Sequence, residues 1–233
     1  MKKAFTMIEL VFVIVIVGII SAMIAPSFQR NTLREAADQL ISHIRYTQHL
    51  AMIDDKFDSS ETEWFKRRWM LRFQENLVYT TLPPNNTYSK VWAYTISSDL
   101  PNFAGHHPDL LGMAKNPLNE SQYLSGGYDN VLHVEDSASM NTLRMGDEYG
   151  VEDIDFTGGC RTDTKFIHFD YIGRPMNSFP LNSPYELASA GFHKLLNSPC
   201  IIKICTVADC TTATGDEIVQ IAIEPETGYT HIL

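Results

Sequence analysis

Basic residues are scarce in this chain of 233 residues, which has 18 Lys and Arg against 28 Asp and Glu and a formal charge of −10. Affinity for a nucleic-acid backbone comes from Lys and Arg side chains that displace condensed counterions. The balance of charge therefore argues against nucleic acid as a partner. We interpret the richest basic run, residues 66–68, as the solvated side of a strand that begins at Trp64.

Cysteines and catalytic motifs are also few. The four cysteines do not form the C-x-x-C pairs of zinc sites, and no G-x-S-x-G nucleophile motif is present. Residues 106–109 and the acidic runs 147–148 and 152–155 contain possible metal donors, but none has zinc-site or EF-hand spacing. We interpret them as a proline-broken loop and a solvated acidic face. The sequence thus predicts no metal, no cofactor and no enzymatic activity.

Long apolar runs are absent after residue 28, whereas residues 10–28 form one continuous uncharged stretch. As a helix these 19 residues would be about 28 Å long, close to the hydrocarbon thickness of a bilayer. Lys2 and Lys3 favour a cytoplasmic N-terminus, so we expect a single-pass membrane protein with its C-terminal domain on the far side of the membrane. A secretory signal peptide is the alternative, although the run is long for one and lacks a good cleavage site.

Glu9 is the charged residue that directly precedes this run. An ionised carboxylate costs about 2.5 to 3.5 kcal/mol at the centre of a membrane helix and less near the interface. The helix macrodipole returns only about 0.3 to 1 kcal/mol. Because the macrodipole stabilises the carboxylate by less than its burial in the membrane destabilises it, we expect Glu9 to have a partner cation. The nearest one would be the free amine that cleavage between Ala4 and Phe5 creates.

The start of the chain resembles the type IV pilin and pseudopilin superfamily. The resemblance rests on Ala4-Phe5-Thr6-Met7-Ile8-Glu9-Leu10 and on the apolar helix with Gly18 and Pro26. It implies that a prepilin peptidase removes residues 1–4 and methylates Phe5, and that Glu9 guides assembly. Ala4 stands where the family normally has Gly. The resemblance further implies a single-pass inner-membrane location with the C-terminal domain in the periplasm. The implied partners are other pilin or pseudopilin subunits, the prepilin peptidase, an inner-membrane assembly platform and the lipid bilayer.

Beyond Pro26 the pattern becomes amphipathic, with apolar residues at the spacing of one helix face. They are Leu33, Ala36, Ala37, Leu40, Ile41, Ile44, Ala51 and Met52. Proline removes one backbone hydrogen bond, so we expect Pro26 to kink a single helix from Phe5 to about residue 54. The predicted fold is α+β and pilin-like, with a long N-terminal helix, hydrophobic then amphipathic, packed on a β-rich C-terminal domain.

Residues 55–233 are predicted to form this periplasmic β-rich domain. Its candidate strands are residues 64–73, 77–81, 90–96, 130–134, 151–156, 165–171, 200–207, 217–224 and 229–232. Residues 97–129, with three prolines and a Gly-Gly pair, predict an inserted loop with short helical pieces. The predicted organisation is a leader at 1–4, a transmembrane or filament-core helix at 5–28, its amphipathic continuation at 29–54, and this domain.

Two later segments indicate which subgroup of this superfamily the chain resembles. Residues 165–175 and 217–228 are similar to strand elements of the H-type minor pseudopilins of type II secretion and of related minor pilins. The resemblance therefore implies a minor pseudopilin that assembles with other pilins to support protein export. The alternatives are a minor pilin of a type IV or competence pilus and a signal-anchored periplasmic enzyme. The tail after Gly228 lacks the arginines of DNA-binding minor pilins, which argues against DNA uptake.

The cysteines are expected to be oxidised if the domain is exported. Four cysteines allow three pairings. We favour Cys205 with Cys210, as a short clip between two C-terminal strands, and Cys160 with Cys200. The second pair closes the longer loop, so it is expected to contribute more to stability, about 4 kcal/mol against about 2 kcal/mol for the short clip.

Overall fold

The chain divides into two compact units, residues 1–31 and residues 32–233. The computed structural model describes residues 6–24, 31–54, 56–79, 88–100, 107–128, 131–177 and 195–233. The helices are α1 (Met7–Ile24), α2 (Thr32–Ile53) and α3 (Met145–Tyr149). The strands are β1 (Trp69–Tyr79), β2 (Tyr88–Ser98), β3 (Lys115–Asn116), β4 (Asn119–Tyr123), β5 (Asp153–Gly158), β6 (Phe166–Phe169), β7 (Pro175–Met176), β8 (Cys200–Cys205), β9 (Ile218–Ile223) and β10 (Thr230–Ile232).

The prediction of one long N-terminal helix is wrong. The described residues instead form two separate helices there, α1 with 18 residues and α2 with 22. Pro26 lies in the sequence between them, outside the described residues. Proline both removes a backbone donor and disfavours a helical residue before it, so a proline in the sequence does not by itself predict one continuous helix.

The inner-membrane location is also contradicted. Within the described ranges, no helix is both long enough and apolar enough to cross a membrane. The uncharged part of α1 runs from Leu10 to Ile24, which is about 22 Å of helix against a hydrocarbon thickness of about 30 Å. The helix length expected from the sequence was greater because the apolar helix was taken to continue to residue 28.

Helix α2 packs its apolar face onto the strands of the second unit. Its buried residues are Leu33, Ala36, Ala37, Leu40, Ile41, Ile44, Thr47 and Ala51. These include every residue of the predicted face except Met52, which is exposed. Thr47 is polar but fully buried, because its Oγ1 donates a hydrogen bond to the carbonyl of His43, 2.8 Å away and one turn earlier. The spacing of apolar residues therefore predicts the face correctly.

Two four-stranded antiparallel sheets form the body of the second unit. Their strand orders are β2-β1-β6-β7 and β10-β9-β8-β5. One core joins α2 with both sheets, through side chains such as Leu40 of α2, Phe73 of β1, Phe156 of β5 and Ile202 of β8. The ring of Phe73 lies edge-on to that of Phe156 with centroids 5.7 Å apart, which links the two sheets.

Several strand predictions need correction. The predicted strands 64–73 and 77–81 largely form a single strand, because β1 runs without a break from Trp69 to Tyr79. The start of the first predicted strand, Trp64–Lys66, is a 3-10 helix instead. The polar run at 74–76 lies within the strand, and two of its side chains hydrogen-bond residues of other segments. Lys90 of β2 donates to Glu75 at 2.7 Å, and the side-chain amide of Asn76 donates to the carbonyl of Gly127 at 3.1 Å.

The segment expected as an inserted loop has local structure. Its described residues contain a 3-10 turn (Leu110–Gly112) and the hairpin of β3 and β4, whose strands form a small two-stranded sheet. Residues 131–134, predicted as part of a strand, instead close a turn in which Tyr128 and Leu132 exchange backbone hydrogen bonds of 2.8 and 2.9 Å.

Candidate functional site

Glu9 lies in the first turn of α1 and belongs to a capping box with Thr6. The backbone N–H of Thr6 donates to Oε2 of Glu9 at 2.9 Å, and its hydroxyl donates to the same oxygen at 2.8 Å. In return, the backbone N–H of Glu9 donates to the Thr6 hydroxyl oxygen at 3.4 Å. This reciprocal pair satisfies two of the backbone donors that a helix start leaves open. The T-x-x-E spacing is the sequence signal of such a box, although the box was not predicted from the sequence.

The Glu9 carboxylate is an anion at the start of an apolar helix. The hydrogen bonds donated by the backbone and then the hydroxyl of Thr6 lower the pKa of Glu9, because they stabilise the charged form. From Leu10 to Ile20, the large apolar side chains of α1 are all exposed. The helix is thus apolar on all sides and has its one charge at its N-terminal end.

The other residues of the predicted processing site cannot be placed. Ala4 and Phe5 lie outside the described residues, as does Pro26, the predicted kink of the helix. Cleavage between Ala4 and Phe5, methylation of Phe5 and the role of Glu9 in assembly therefore stay predictions.

Both disulfides favoured from the sequence are present. Cys205, at the end of β8, is bonded to Cys210 in the turn before β9. Cys160, in the loop after β5, is bonded to Cys200 at the start of β8. The two bonds thus anchor opposite ends of one strand at the centre of its sheet.

The candidate metal donors do not come together. In the part of the chain that the structure describes, no group of three or more His, Cys, Asp or Glu side chains could hold a metal ion. His107 contacts the hydroxyl of Tyr128 at 2.9 Å. The carboxylate of Asp153 accepts backbone hydrogen bonds from Ile154 and Cys210 at 2.8 and 3.0 Å, so it is engaged in the fold.

A polar cluster beneath α2, centred on His43, was not predicted from the sequence. His43 is half-buried, and its Nδ1 lies 2.6 Å from the hydroxyl of the buried Tyr94. Gln39, one turn earlier, donates to the same hydroxyl at 3.0 Å and accepts from Tyr149 at 2.8 Å. Burial lowers the pKa of His43 and raises that of Tyr94. The neutral imidazole can therefore accept a hydrogen bond from the Tyr94 hydroxyl. The cluster joins α2 to β2 and α3.

No family model, curated protein or solved structure matches this chain. Function must therefore be argued from the site itself, because a fold alone does not determine it. The features that bear on function are the capped anion of α1, its uncovered apolar surface and the disulfide-anchored second unit.

Proposed function

We propose that this chain is a minor pilin-like subunit, a pseudopilin, of a type II secretion pseudopilus. It assembles with other pilin-like subunits after a prepilin peptidase has removed residues 1–4, and it supports protein export without being an enzyme. The observation that carries the proposal is the single charged residue of α1, Glu9, at the start of a helix that is apolar and exposed on all sides.

The exposed apolar surface of α1 is expected to be buried against another helix or protein. A helix that is hydrophobic all round is stable when it is buried, and large exposed apolar surfaces mark interaction sites. In a helical filament the corresponding helices of neighbouring subunits provide this cover. Burying the side chains from Leu10 to Ile20 would stabilise the assembly by roughly 25 cal/mol for each Å² of apolar surface removed from water.

The charge of Glu9 sets the register of that packing. Among apolar helices a lone carboxylate is costly, whereas a paired one is tolerated. Cleavage between Ala4 and Phe5 creates an ammonium group four residues before Glu9. Pairing between the Glu9 carboxylate of one subunit and the Phe5 ammonium of its neighbour removes both isolated charges only when the helices are in register. The capping box with Thr6 holds the carboxylate at the helix start before assembly.

The capping box makes a sharp test possible. Glu9→Leu removes both the cap and the charge, whereas Glu9→Gln keeps a capping side chain and removes only the charge. We expect both variants to be cleaved but to co-assemble with other pilin-like subunits at least about tenfold less, a loss of about 1.4 kcal/mol. Thr6→Val, the matched control, removes the two hydroxyl hydrogen bonds of the cap and keeps the charge, so it should assemble better than either. Crosslinking and sheared-filament fractions measure the incorporation.

The Gln variant decides between the two roles of Glu9. Wild-type incorporation of Glu9→Gln would mean that the cap suffices and that charge pairing is not required. Wild-type incorporation of Glu9→Leu would contradict the assembly role of this residue altogether.

A further inference from the structure

The side-chain amide of Gln48, in α2, contacts two turns that belong to different sheets. Its Nε2 donates to the carbonyl of Gly173 at 2.7 Å and to the carbonyl of Thr227 at 2.7 Å. Gly173 lies in the turn between β6 and β7, and Thr227 lies in the turn between β9 and β10. Strands β6 and β9 belong to the two different four-stranded sheets. One side chain thus joins a turn of each sheet to the helix.

The contact requires an amide donor at this position. The NH2 group of a glutamine side chain has two N–H donors, and each of the two carbonyls accepts one of them. Because both neighbours are acceptors, the nitrogen of the Gln48 amide and not its oxygen faces them. If either turn moved away, one donor of Gln48 would lose its acceptor.

The two turns also approach each other closely beside Gln48. Gly173 and Gly228 both have left-handed backbone conformations, with φ of 86° and 66°. A Cβ added at Gly228 would lie 2.5 Å from Nε2 of Gln48 and 3.0 Å from the carbonyl oxygen of Gly173. A Cβ added at Gly173 would lie 3.0 Å from Sδ of Met52. The absence of a side chain at both glycines is what allows this close approach.

Each turn is closed by hydrogen bonds of its own. The backbone N–H groups of Gly173 and Gly228 each donate to a carbonyl of the same turn, at 2.9 and 3.0 Å. In the second turn the backbone N–H of Tyr229 also donates to the hydroxyl of Thr227 at 3.2 Å. The two glycine amides therefore report the opening of their turns, because a bonded amide exchanges its hydrogen when its hydrogen bond opens.

We propose that Gln48 couples the two turns into one cooperative unit, so that they open together and not separately. Opening of one turn takes a carbonyl away from Gln48, frees that side chain and weakens its bond to the other turn. Such coupling is reciprocal, so whatever stabilises one turn also stabilises the other. The device lies wholly within the second unit. The inference therefore goes beyond the proposed function and does not depend on how α1 is processed.

Native-state hydrogen exchange of the full chain, resolved at the amides of Gly173 and Gly228, tests the proposal. Thr227→Val removes the hydroxyl that accepts from Tyr229 and leaves the backbone carbonyl that Gln48 binds. We expect exchange to become about fivefold faster at Gly228, the effect of one lost hydrogen bond, and at least about twofold faster at Gly173.

The same change is then made in variants of Gln48. In Gln48→Met, which has no donor, Thr227→Val should speed exchange at Gly228 alone. Gln48→Glu keeps the size of the side chain and replaces the donor by an acceptor, so it should give the same result. Gln39→Met is the matched control, because Gln39 also donates two hydrogen bonds from α2 but to other partners. The response of Gly173 should persist in this control.

Each other outcome contradicts the proposal. A Gly173 amide that does not respond to Thr227→Val in the otherwise wild-type chain would overturn the coupling. A response that persists in Gln48→Met and in Gln48→Glu would show that Gln48 does not carry it. A response that is lost equally in Gln39→Met would show a general loosening of α2, and this result would also overturn the role of Gln48.

Discussion

Glu9 illustrates how a single residue can satisfy two requirements. From the sequence, its cost beside an apolar run exceeds the return from the helix dipole, so a partner was expected. The structure shows neutral donors within the same turn, since Thr6 donates both its N–H and its hydroxyl to the carboxylate, and the expected cation stays a prediction. The spacing of Thr6 and Glu9 made this cap predictable. Whether a second partner, the Phe5 ammonium, is also required is what Glu9→Gln tests.

Asp170 is expected to be critical for the stability of the second unit. It is fully buried and accepts hydrogen bonds from the backbone N–H groups of Ile172 and Arg174 and from the side chain of Arg174. Asp170→Ala should lower the free energy of unfolding by about 1.5 to 3 kcal/mol, because these donors lose a charged acceptor. Asp163→Ala, which breaks the exposed pair with Arg161, should change it by less than about 1 kcal/mol. Urea unfolding measures both, and equal losses would contradict the assignment.

His43 should make the fold sensitive to acid. Burial lowers its pKa below the usual value of 6.5, so the unfolded chain takes up a proton more readily than the folded chain. Its contribution to stability is complete above about pH 6.5 and is lost as the pH falls from there through the lowered pKa of the folded state. Below this range the imidazole is protonated, and it can no longer accept a hydrogen bond from the Tyr94 hydroxyl.

The measurement is the urea midpoint between about pH 8 and pH 5. We expect the midpoint of the wild type to fall with acid more steeply than that of His43→Gln. His49→Gln, which removes an exposed histidine of the same helix, should behave as the wild type does. An unchanged pH profile in His43→Gln would contradict the account.

At the level of elements, prediction succeeded where the signal is local. The apolar face of α2 follows from residue spacing alone, and it is buried as expected except at Met52. The length of β1 could not be predicted, because the side chains of Glu75 and Asn76 hydrogen-bond Lys90 and Gly127, which are distant in sequence. The same holds for His43, whose partner Tyr94 lies 51 residues away.

The two disulfides should contribute unequally. Cys160 and Cys200 are 40 residues apart, whereas Cys205 and Cys210 are 5 apart. Closing the longer loop removes more entropy from the unfolded chain, about 4 kcal/mol against about 2 kcal/mol. We expect the double variant Cys160→Ala/Cys200→Ala to unfold at a lower urea concentration than Cys205→Ala/Cys210→Ala. A larger loss from the short loop would contradict this ranking.

At the scale of the whole molecule, the chain combines a unit whose helix is uncovered with a unit that has its own core. The first has α1, apolar and exposed on all sides. The second has α2, two sheets and both disulfides. The sequence predicted a β-rich domain after the helices, but not the division of the helical region into α1 and α2. A proline can either kink or end a helix, so the sequence pattern alone does not give the number of helices.

Mass spectrometry of the N-terminus of the native protein, purified from cells with an active prepilin peptidase, tests the central claim most directly. The account predicts a chain that begins at Phe5 and has one methyl group on its amine. A chain that still begins at Met1 would contradict it, because no ammonium would then stand four residues before Glu9. A chain that begins beyond Ala22 would also contradict it and would identify the apolar run as a cleaved export signal.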